Sequence, residues 1–180
     1  MRIEELENAP QWLLDADTVD ADVEIAGGIV HWYDGTWKDG AWQGGTWWAG
    51  TWENGTWEDG LWKGGIWKGG TWSSGVWQDG IWQNGDWKDG IWHNGVFEGG
   101  DWESGVWYNG TWENCTWRSG VWQGGTWRNG VWYDGYWLDG VWEYGYWFNG
   151  SWYGGKWKRG NKWKRGEPKF LTSDTPPVNE

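Results

Sequence analysis

Residues 51–70 read TWENG TWEDG LWKGG IWKGG, and this five-residue pattern decides the fold. From Trp32 to Trp157 a large aromatic residue returns at every fifth position, as 25 tryptophans and one phenylalanine, Phe97. Glycine stands three places after each aromatic, with Cys115 as the one exception. A strict period this short predicts a solenoid, in which each repeat adds one unit to a stack.

The composition agrees with a core made of tryptophan. The 180 residues include 28 Trp and 34 Gly, and aliphatic residues are so scarce that the chain without its tryptophans would resemble a disordered one. Each buried aromatic side chain removes about 150–250 Å² from water. The repeated aromatics would therefore bury as much surface as the core of a mid-sized domain.

A single pentad shows how the repeat works. In Thr56-Trp57-Glu58-Asp59-Gly60, position 1 is β-branched or apolar, position 2 aromatic, position 3 long and polar, position 4 Asp, Asn, Ser or Gly, and position 5 glycine. The first three positions favour a short strand, and Asp-Gly favours a turn because glycine accepts positive φ. Because five is odd, a flat strand would send successive tryptophans to opposite faces. A bend in every repeat is needed to bring them all inside.

Two architectures contain such a bend. Dipeptides such as Asn54-Gly55 and Asn94-Gly95 also form hairpin turns, so a meander of short strands is one alternative. A meander of three-residue strands would leave long unpaired edges, whereas a coil stacks each strand on an earlier one and pairs its backbone. The coil is therefore the prediction.

The repeat resembles that of the pentapeptide-repeat family over about 130 of the 180 residues. In that family a large apolar residue at the centre of the repeat and a small residue two places earlier both point inward, as Trp57 with Gly55 and Trp62 with Gly60 would here. The resemblance implies an all-β, right-handed β-solenoid with four pentads per coil. The chain departs from the family in having Trp where Leu or Phe is usual and Gly where Ala is usual. The size of tryptophan leaves a wider or differently sided coil open.

Four pentads per coil would place every twentieth residue on the same side. A period of 20 also gathers Asp39, Asp59 and Asp79 on one edge, whereas a period of 15 gives less tidy columns. Such an edge could bind Ca²⁺, although water and salt usually suffice for surface carboxylates, so we predict no metal and no cofactor. The predicted core residues of one side are Trp37, Trp57, Trp77, Phe97, Trp117, Trp137 and Trp157.

The repeat also divides the chain into three parts. Residues 1–31 lack it and are predicted to form an N-terminal cap, with Trp12, Leu13 and Leu14 over the first coil. Residues 32–160 form the solenoid. Residues 161–180 are a basic and then Pro-containing C-terminal tail.

Charge is polarised along the chain, whose net charge is −12. Residues 1–35 hold nine acidic side chains and one basic, whereas residues 156–169 hold seven basic and one acidic. The basic end is either a solvated end that prevents aggregation or a docking site for a partner, for which an acidic protein is expected rather than nucleic acid. Its predicted contacts are Lys156, Lys158, Arg159, Lys162, Lys164 and Arg165.

The sequence offers little for catalysis, and we predict that the chain is not an enzyme. His31 and His93 have no nearby partner implied by spacing, and Cys115 stands at an inward position where a buried, inert thiol is expected. One cysteine excludes an internal disulfide, and no apolar run is long enough to span a membrane. The first residues lack a secretory signal, which predicts a cytoplasmic location, or a virion if the chain is phage-encoded.

Three functions fit these observations. The first is a rigid structural or protein-interaction rod, such as a component of a phage particle, docked through its ends and able to form homo-oligomers. The second, implied by the family resemblance, is an acidic DNA mimic that acts on an enzyme such as gyrase. The third is binding of a glycan or an ice surface by a column of Thr, Val and Ile, which at a period of 20 contains Thr51, Thr71, Ile91, Thr111, Val131 and Ser151.

Overall fold

The chain folds as an all-β parallel solenoid with one short helix at its start. The computed structural model describes Ile3, residues 6–158 and, as backbone only, the strands at residues 162–163 and 169–170. Helix α1 (Gln11–Leu14) is followed by two long strands, β1 (Asp17–Ala26) and β2 (Ile29–Asp39). The prediction of a β-solenoid built on the pentad is confirmed.

Each later pentad contributes one short strand at positions 1 and 2. These strands are β3 (Ala41–Trp42), β4 (Thr46–Trp47), β5 (Thr51–Trp52), β6 (Thr56–Trp57), β7 (Leu61–Trp62), β8 (Ile66–Trp67), β9 (Thr71–Trp72), β10 (Val76–Trp77), β11 (Ile81–Trp82), β12 (Asp86–Trp87), β13 (Ile91–Trp92), β14 (Val96–Phe97), β15 (Asp101–Trp102) and β16 (Val106–Trp107). They continue as β17 (Thr111–Trp112), β18 (Cys115–Trp117), β19 (Val121–Trp122), β20 (Thr126–Trp127), β21 (Gly130–Trp132), β22 (Tyr136–Trp137), β23 (Val141–Trp142), β24 (Tyr146–Trp147), β25 (Ser151–Trp152), β26 (Lys156–Trp157), β27 (Lys162–Trp163) and β28 (Lys169–Phe170).

Each strand stacks on the strand three pentads earlier, so a coil contains three pentads. Strand β6 lies between β3 and β9, with Trp57 opposite both Trp42 and Trp72. The N–H of Glu58 donates to the carbonyl of Trp42 at 2.8 Å, and the same bond recurs in coil after coil. The prediction of four pentads per coil is therefore wrong. Face 1 begins at Trp32, face 2 at Trp37 and face 3 at Trp42.

Glycine at position 5 explains the smaller number of sides. Between Gly35 and Gly155 every position-5 glycine has φ between +98° and +137°, a conformation that alanine rarely adopts. At Gly75, with φ +115°, an added Cβ would lie 2.5 Å from the carbonyl oxygen of Gly60 in the coil below. A coil of three pentads needs a sharper backbone bend at each corner than a coil of four. The positive φ of glycine makes that corner possible.

Three columns of stacked indoles fill the triangular interior. Trp57 is parallel to Trp72 above it within 5°, with ring centroids 4.8 Å apart, and meets Trp52 and Trp62 edge to face at 73° and 74°. Offset stacks and edge-to-face contacts are the favoured aromatic geometries. From residue 32 to residue 147 every inward aromatic is 0 % exposed. Three indoles per layer therefore leave no lumen.

The free energy gained by burying these rings exceeds the cost of burying their N–H groups without partners. Five indole N–H groups, including those of Trp82 and Trp107, donate to a corner carbonyl in the next coil at 3.0–3.1 Å. Within the described residues, 18 other indole N–H groups are buried without a hydrogen-bond partner. Each such group costs about 1–3 kcal/mol, whereas removing about 200 Å² of ring surface from water contributes about 5 kcal/mol.

The N-terminal segment closes the first coil. Strands β1 and β2 form an antiparallel hairpin through the two-residue turn at Gly27 and Gly28, whose φ values of +60° and +79° suit a type I′ turn. Strand β1 thereby covers the first-coil edge of faces 1 and 2. Trp12 of α1 packs on Trp42 of face 3 at 5.1 Å, and Leu13 beside it is fully buried.

The N-terminal cap and the C-terminal strands each differ from their prediction in one respect. Leu14, predicted to lie over the first coil with Trp12 and Leu13, is 40 % exposed, because a helix of four residues turns only part of its circumference inward. At the other end, the residues after 160 were predicted to leave the coil as a tail. Strands β27 and β28 instead pair with β24 and β25. The six-residue step before Trp163 shifts the register by one residue without ending the pairing.

Candidate functional site

Aromatic side chains fill the interior of the described coils. Of the predicted core residues, Trp37, Trp57, Trp77, Phe97, Trp117 and Trp137 are each 0 % exposed, and Trp157 in the last described coil is half-buried. They do not share one side, because stacking on every third pentad distributes them over all three faces. A groove of about 290 Å³ lies between the cap and the first coil, lined by Pro10, Trp12, Gly28, Ile29, Val30, Gln43, Gly44 and Gly45. It has no charged side chain.

The two exceptions to the repeat are neighbours in space. Where both consensus residues are present, as at Trp67 and Gly85, a Cβ added to the glycine would lie 3.3 Å from the Nε1 atom of the tryptophan. Phe97 and Cys115 stand at the same spacing along the chain as Trp67 and Gly85. Phenylalanine has no pyrrole ring, so the space that Nε1 would fill is left for the cysteine side chain. The smaller ring at 97 therefore accommodates the larger residue at 115.

Cys115 is a structural residue of this corner. Its thiol is buried and donates to the carbonyl of Glu113 at 2.6 Å, and burial raises its pKa far above the usual range. The left-handed conformation, which glycine holds elsewhere, moves one place earlier to Asn114 at φ +55°. Nucleophilic chemistry requires the thiolate, which this environment disfavours. The burial predicted for this thiol is confirmed.

The aspartates at position 4 form hydrogen bonds with the backbone of the corners. All seven such aspartates accept a hydrogen bond at Oδ1 from the N–H of the following glycine, at 2.7–2.9 Å. Asp39, Asp59 and Asp79 lie at three different corners, because a coil holds three pentads rather than four. The predicted acidic column therefore does not exist. Among the described residues, no group of three or more His, Cys, Asp or Glu side chains is placed to hold a metal ion.

Three ion pairs join neighbouring coils along position 3 of face 2. Lys68 pairs with Glu53 at 3.1 Å, Lys158 pairs with Glu143 at 2.6 Å, and Arg128 pairs with Glu113. On face 3 Lys88 pairs with Glu103 at 2.6 Å. Each of these pairs joins residues of consecutive coils. Exposed pairs add little stability, but they neutralise charge along the length of the rod.

The column predicted to bind a glycan or ice also depends on the number of pentads per coil. Thr51, Thr71 and Ile91 lie on faces 2, 3 and 1, so the column predicted at a period of 20 is wrong. Face 2 has a different β-branched column at position 1, directly beside the charged column described above. It consists of Thr36, Thr51, Ile66, Ile81, Val96, Thr111, Thr126 and Val141.

Neither histidine forms part of a catalytic arrangement in the described residues. His93 stacks on Tyr108 with ring centroids 5.0 Å apart, and His31 lies near Tyr33 at 6.4 Å. The Tyr33 hydroxyl donates to Glu24 of the cap at 3.1 Å, which joins β1 to the first coil. These contacts hold surface rings in place.

Exposed large apolar side chains lie mainly toward the two ends of the rod, with Leu14, Val19, Ile29 and Tyr33 at the N-terminal end and a second group near the C-terminal end. Between residues 36 and 130 only four large apolar side chains are exposed, whereas five are exposed between residues 133 and 146. We call these five the collar. They are Tyr133 at 45 % exposure, Tyr136 at 52 %, Leu138 at 37 %, Tyr144 at 58 % and Tyr146 at 44 %. Sequence reasoning missed the collar, although its signal is visible as tyrosine at positions 1 and 4, which elsewhere carry Thr, Val, Asp or Asn, and as Tyr133 and Leu138 at position 3, which elsewhere is long and polar.

The predicted basic end lies just beyond the collar. Lys156 begins β26 on face 2 and is exposed, and Lys158 follows directly after that strand and pairs with Glu143. Lys162 lies in β27, and nothing is described of its side chain. Arg159, Lys164 and Arg165 lie outside the described residues.

Comparisons with protein-family models, with curated proteins and with solved structures found no match to this chain. Among the described residues, no helix is long and apolar enough to cross a membrane. The geometry of the rod and its surface is therefore the basis of the functional argument.

Proposed function

We propose that this chain is a non-enzymatic structural rod that joins or decorates subunits of a larger protein assembly, such as a phage particle, and is held there through its ends. The likeness to the pentapeptide-repeat family, as a three-sided variant, is part of this proposal. The observation that carries it is the solid interior, in which three indole columns fill each coil and every inward aromatic from residue 32 to 147 is fully buried. Because aromatic rings fill the described coils, stiffness and the outer surface are what such a rod offers to partners.

The ends support attachment rather than free movement. The N-terminal cap covers the first coil with β1 and α1, so a partner there would meet a finished, acidic surface. The C-terminal coils expose the collar and are followed by a basic segment. A rod with two chemically different ends has a direction, which suits a part with a fixed position in an assembly.

The two other functions have weaker support. A DNA mimic needs continuous unneutralised acidic tracks. On face 2 the carboxylates of Glu53, Glu113 and Glu143 are instead paired with basic residues of neighbouring coils, and the position-4 aspartates are dispersed over three corners. The β-branched column of face 2 is the observation that favours a glycan or ice surface. The adjacent charged column would keep ordered water of its own, which opposes flat contact with ice.

Sedimentation of the chain from the cells that produce it tests the proposal. The tagged full chain is expected to sediment with a particle much heavier than its own 20.9 kDa, and to remain there after nuclease treatment. A chain recovered only as a free 20.9 kDa protein would refute a structural role in an assembly. Release by nuclease would instead indicate nucleic-acid binding.

A further inference from the structure

Face 1 is the most apolar side of the rod. Its position-1 column contains an unbroken run of five aliphatic residues, whereas the longest such run on face 2 has three. The five are Leu61, Val76, Ile91, Val106 and Val121. Face 1 also holds five of the ten large apolar side chains exposed between residues 33 and 146, namely Tyr33, Trp48, Tyr108, Tyr136 and Leu138. Exposed apolar side chains gathered on one surface indicate a contact site.

Face 1 is also the side with the fewest charges. Between His31 and Tyr153, before β28, its positions 1 and 3 include one lysine, Lys63, and no Arg, Asp or Glu. The corresponding positions hold nine charged residues on face 2 between residues 36 and 158, and six on face 3 between residues 41 and 148. The Nζ atom of Lys63 lies 3.6 Å from the centroid of the Trp48 ring. Aspartates such as Asp79 lie only at the corners beside the face, which gives it an apolar centre and a charged rim, as in protein interfaces.

The rings of face 1 are poorly placed to bind a sugar or a membrane. A sugar stacks on an exposed ring face, but Trp48 has Tyr33 on one face, with centroids 6.0 Å apart, and Lys63 on the other. Surfaces that lie on lipid carry Lys or Arg beside their apolar side, whereas Asp79 and Asp89 flank this one. The face therefore suits another protein surface.

The area of face 1 matches what a small dimer requires. Its nine strands, stacked at about 4.8 Å, make it about 40 Å long, and five residues per side make it about 15 Å wide. Two copies paired over the whole face would bury about 1,200 Å², at the lower limit of specific interfaces. A shifted register would fall below that limit, so full overlap is expected.

The charge distribution favours a second copy as the occupant. Each chain has a net charge of −12, so two copies repel each other unless their contact avoids the carboxylates. Face 1 is the side that avoids them, whereas a partner of opposite charge would be better recognised by face 2 or face 3. Because only one face of the three has this character, association closes at two copies.

The acidic cap determines the direction of pairing. Residues 6–26 hold six acidic side chains and no basic one. Parallel pairing would bring the two caps together, whereas antiparallel pairing separates them by about 40 Å, several Debye lengths at physiological salt. With full overlap the twofold axis passes beside Ile91, in the fifth of the nine strands. Tyr136 and Leu138 of one copy then face Thr46 and Trp48 of the other.

We propose that two copies of this chain pair through face 1 as an antiparallel dimer. This inference concerns a side of the rod and does not depend on the proposed attachment through its ends. Sedimentation velocity of the purified full chain tests it. An interface at the lower size limit implies a Kd of micromolar order, so a species of twice 20.9 kDa is expected at about 100 µM.

Two lysine variants locate the interface. Ile91→Lys places a charge from each copy at the twofold axis and is expected to raise the Kd of the dimer at least about tenfold. Ile81→Lys is the matched control, because Ile81 occupies position 1 of face 2 in the middle of the rod, and it is expected to leave the Kd unchanged. Strands β12 and β15 begin with Asp86 and Asp101, so a charged residue at position 1 is compatible with the fold. Both variants are expected to keep the near-ultraviolet circular dichroism of the rod.

Thiol crosslinking tests the direction. Facing sheets lie about 10 Å apart, which is too far for a disulfide but within reach of a short bismaleimide. Ile91→Cys is expected to crosslink to itself, and a mixture of Thr46→Cys with Tyr136→Cys is expected to give a mixed dimer. Thr46→Cys alone is expected not to crosslink, because its two copies would lie about 29 Å apart along the rod. Ile81→Cys provides the control on face 2, and the native Cys115 is buried.

Other results overturn the dimer as described. A chain that sediments as a monomer at about 100 µM would remove the pairing, and equal effects of Ile91→Lys and Ile81→Lys would move the contact away from face 1. Crosslinking of Thr46→Cys to itself would mean parallel pairing. None of these results bears on the structural role, which is tested separately by sedimentation with a particle from the producing cells.

Discussion

Restoring the consensus at both exceptions of the repeat, Phe97→Trp together with Cys115→Gly, is expected to cost less stability than the sum of the two single changes. At six consensus corners the indole Nε1 atom lies 3.1–3.3 Å from where a Cβ on the corresponding glycine of the next coil would be, as for Trp67 and Gly85. A tryptophan at 97 would therefore overlap the side chain of Cys115, whose Sγ lies 3.6 Å from the carbonyl oxygen of Phe97.

The magnitudes follow from packing. Overfilling the corner with Phe97→Trp is expected to lower the free energy of unfolding by about 1–3 kcal/mol. Cys115→Gly removes a buried side chain and leaves a small void beside Phe97, at a cost of about 1–2 kcal/mol. Independent changes would add to about 2–5 kcal/mol. The double variant rebuilds a corner that recurs throughout the rod, so it is expected to lie within about 1 kcal/mol of the natural chain, a coupling of about 2 kcal/mol.

Urea denaturation of the four proteins, followed by tryptophan fluorescence and by circular dichroism, gives the coupling directly. Gly44→Ala provides the control, because its added methyl meets nothing within 4 Å and its position is far from residue 97. Combined with Phe97→Trp it is expected to be additive within about 0.5 kcal/mol. Additive losses in the Phe97→Trp, Cys115→Gly pair would refute the reasoning, as would stabilisation by Phe97→Trp alone.

Three further predictions concern the core, the corners and the thiol. Trp87→Ala should lower the free energy of unfolding by about 3–5 kcal/mol, because the ring is fully buried. Trp48 is 41 % exposed with Lys63 over its ring, so Trp48→Ala should lower it by less than about 1 kcal/mol. Equal shifts of the melting temperature would contradict the assignment of inward and outward positions. Gly75→Ala should lower the free energy of unfolding measured in urea by more than about 2 kcal/mol, because φ at Gly75 is +115° and the added Cβ would lie 2.5 Å from a carbonyl oxygen. A loss as small as that of Gly44→Ala would exclude strain at the corner. Because burial raises the pKa of Cys115, its thiolate fraction at pH 8 is small and iodoacetamide should label it only after unfolding; rapid labelling in native buffer would show an accessible thiol.

The pentad was sufficient to predict the orientation of residues but not the number of sides. Inward Trp57 and a turn at Gly60 follow from residue types and from the odd period, and both are found. The number of pentads per coil depends on the angle of the corner. That angle is set by the φ of glycine and by how three indoles pack, neither of which is expressed in the period.

The surface contained a signal for the period that the aspartates obscured. Each position-4 aspartate bonds to its own next glycine, as Asp59 does to Gly60, so its distribution carries no information about which coil lies above. Charged residues at position 3 do contact the next coil. Opposite charges three pentads apart, as at Glu53 and Lys68, form four ion pairs among the described residues and could have indicated three pentads per coil from the sequence.

The stacking period implies that the core and the exterior tolerate different changes of length. Inserting or deleting one pentad would keep every later aromatic inward and every glycine at a corner, because the interior repeats with each pentad. The same change would turn every later side chain on to the next face, because ion pairs such as that of Lys68 with Glu53 repeat only with each whole coil. A gain or loss of three pentads would preserve both. Duplication by whole coils would therefore lengthen the rod without scrambling its faces, whereas a single added pentad would rotate the collar and everything beyond it by one side.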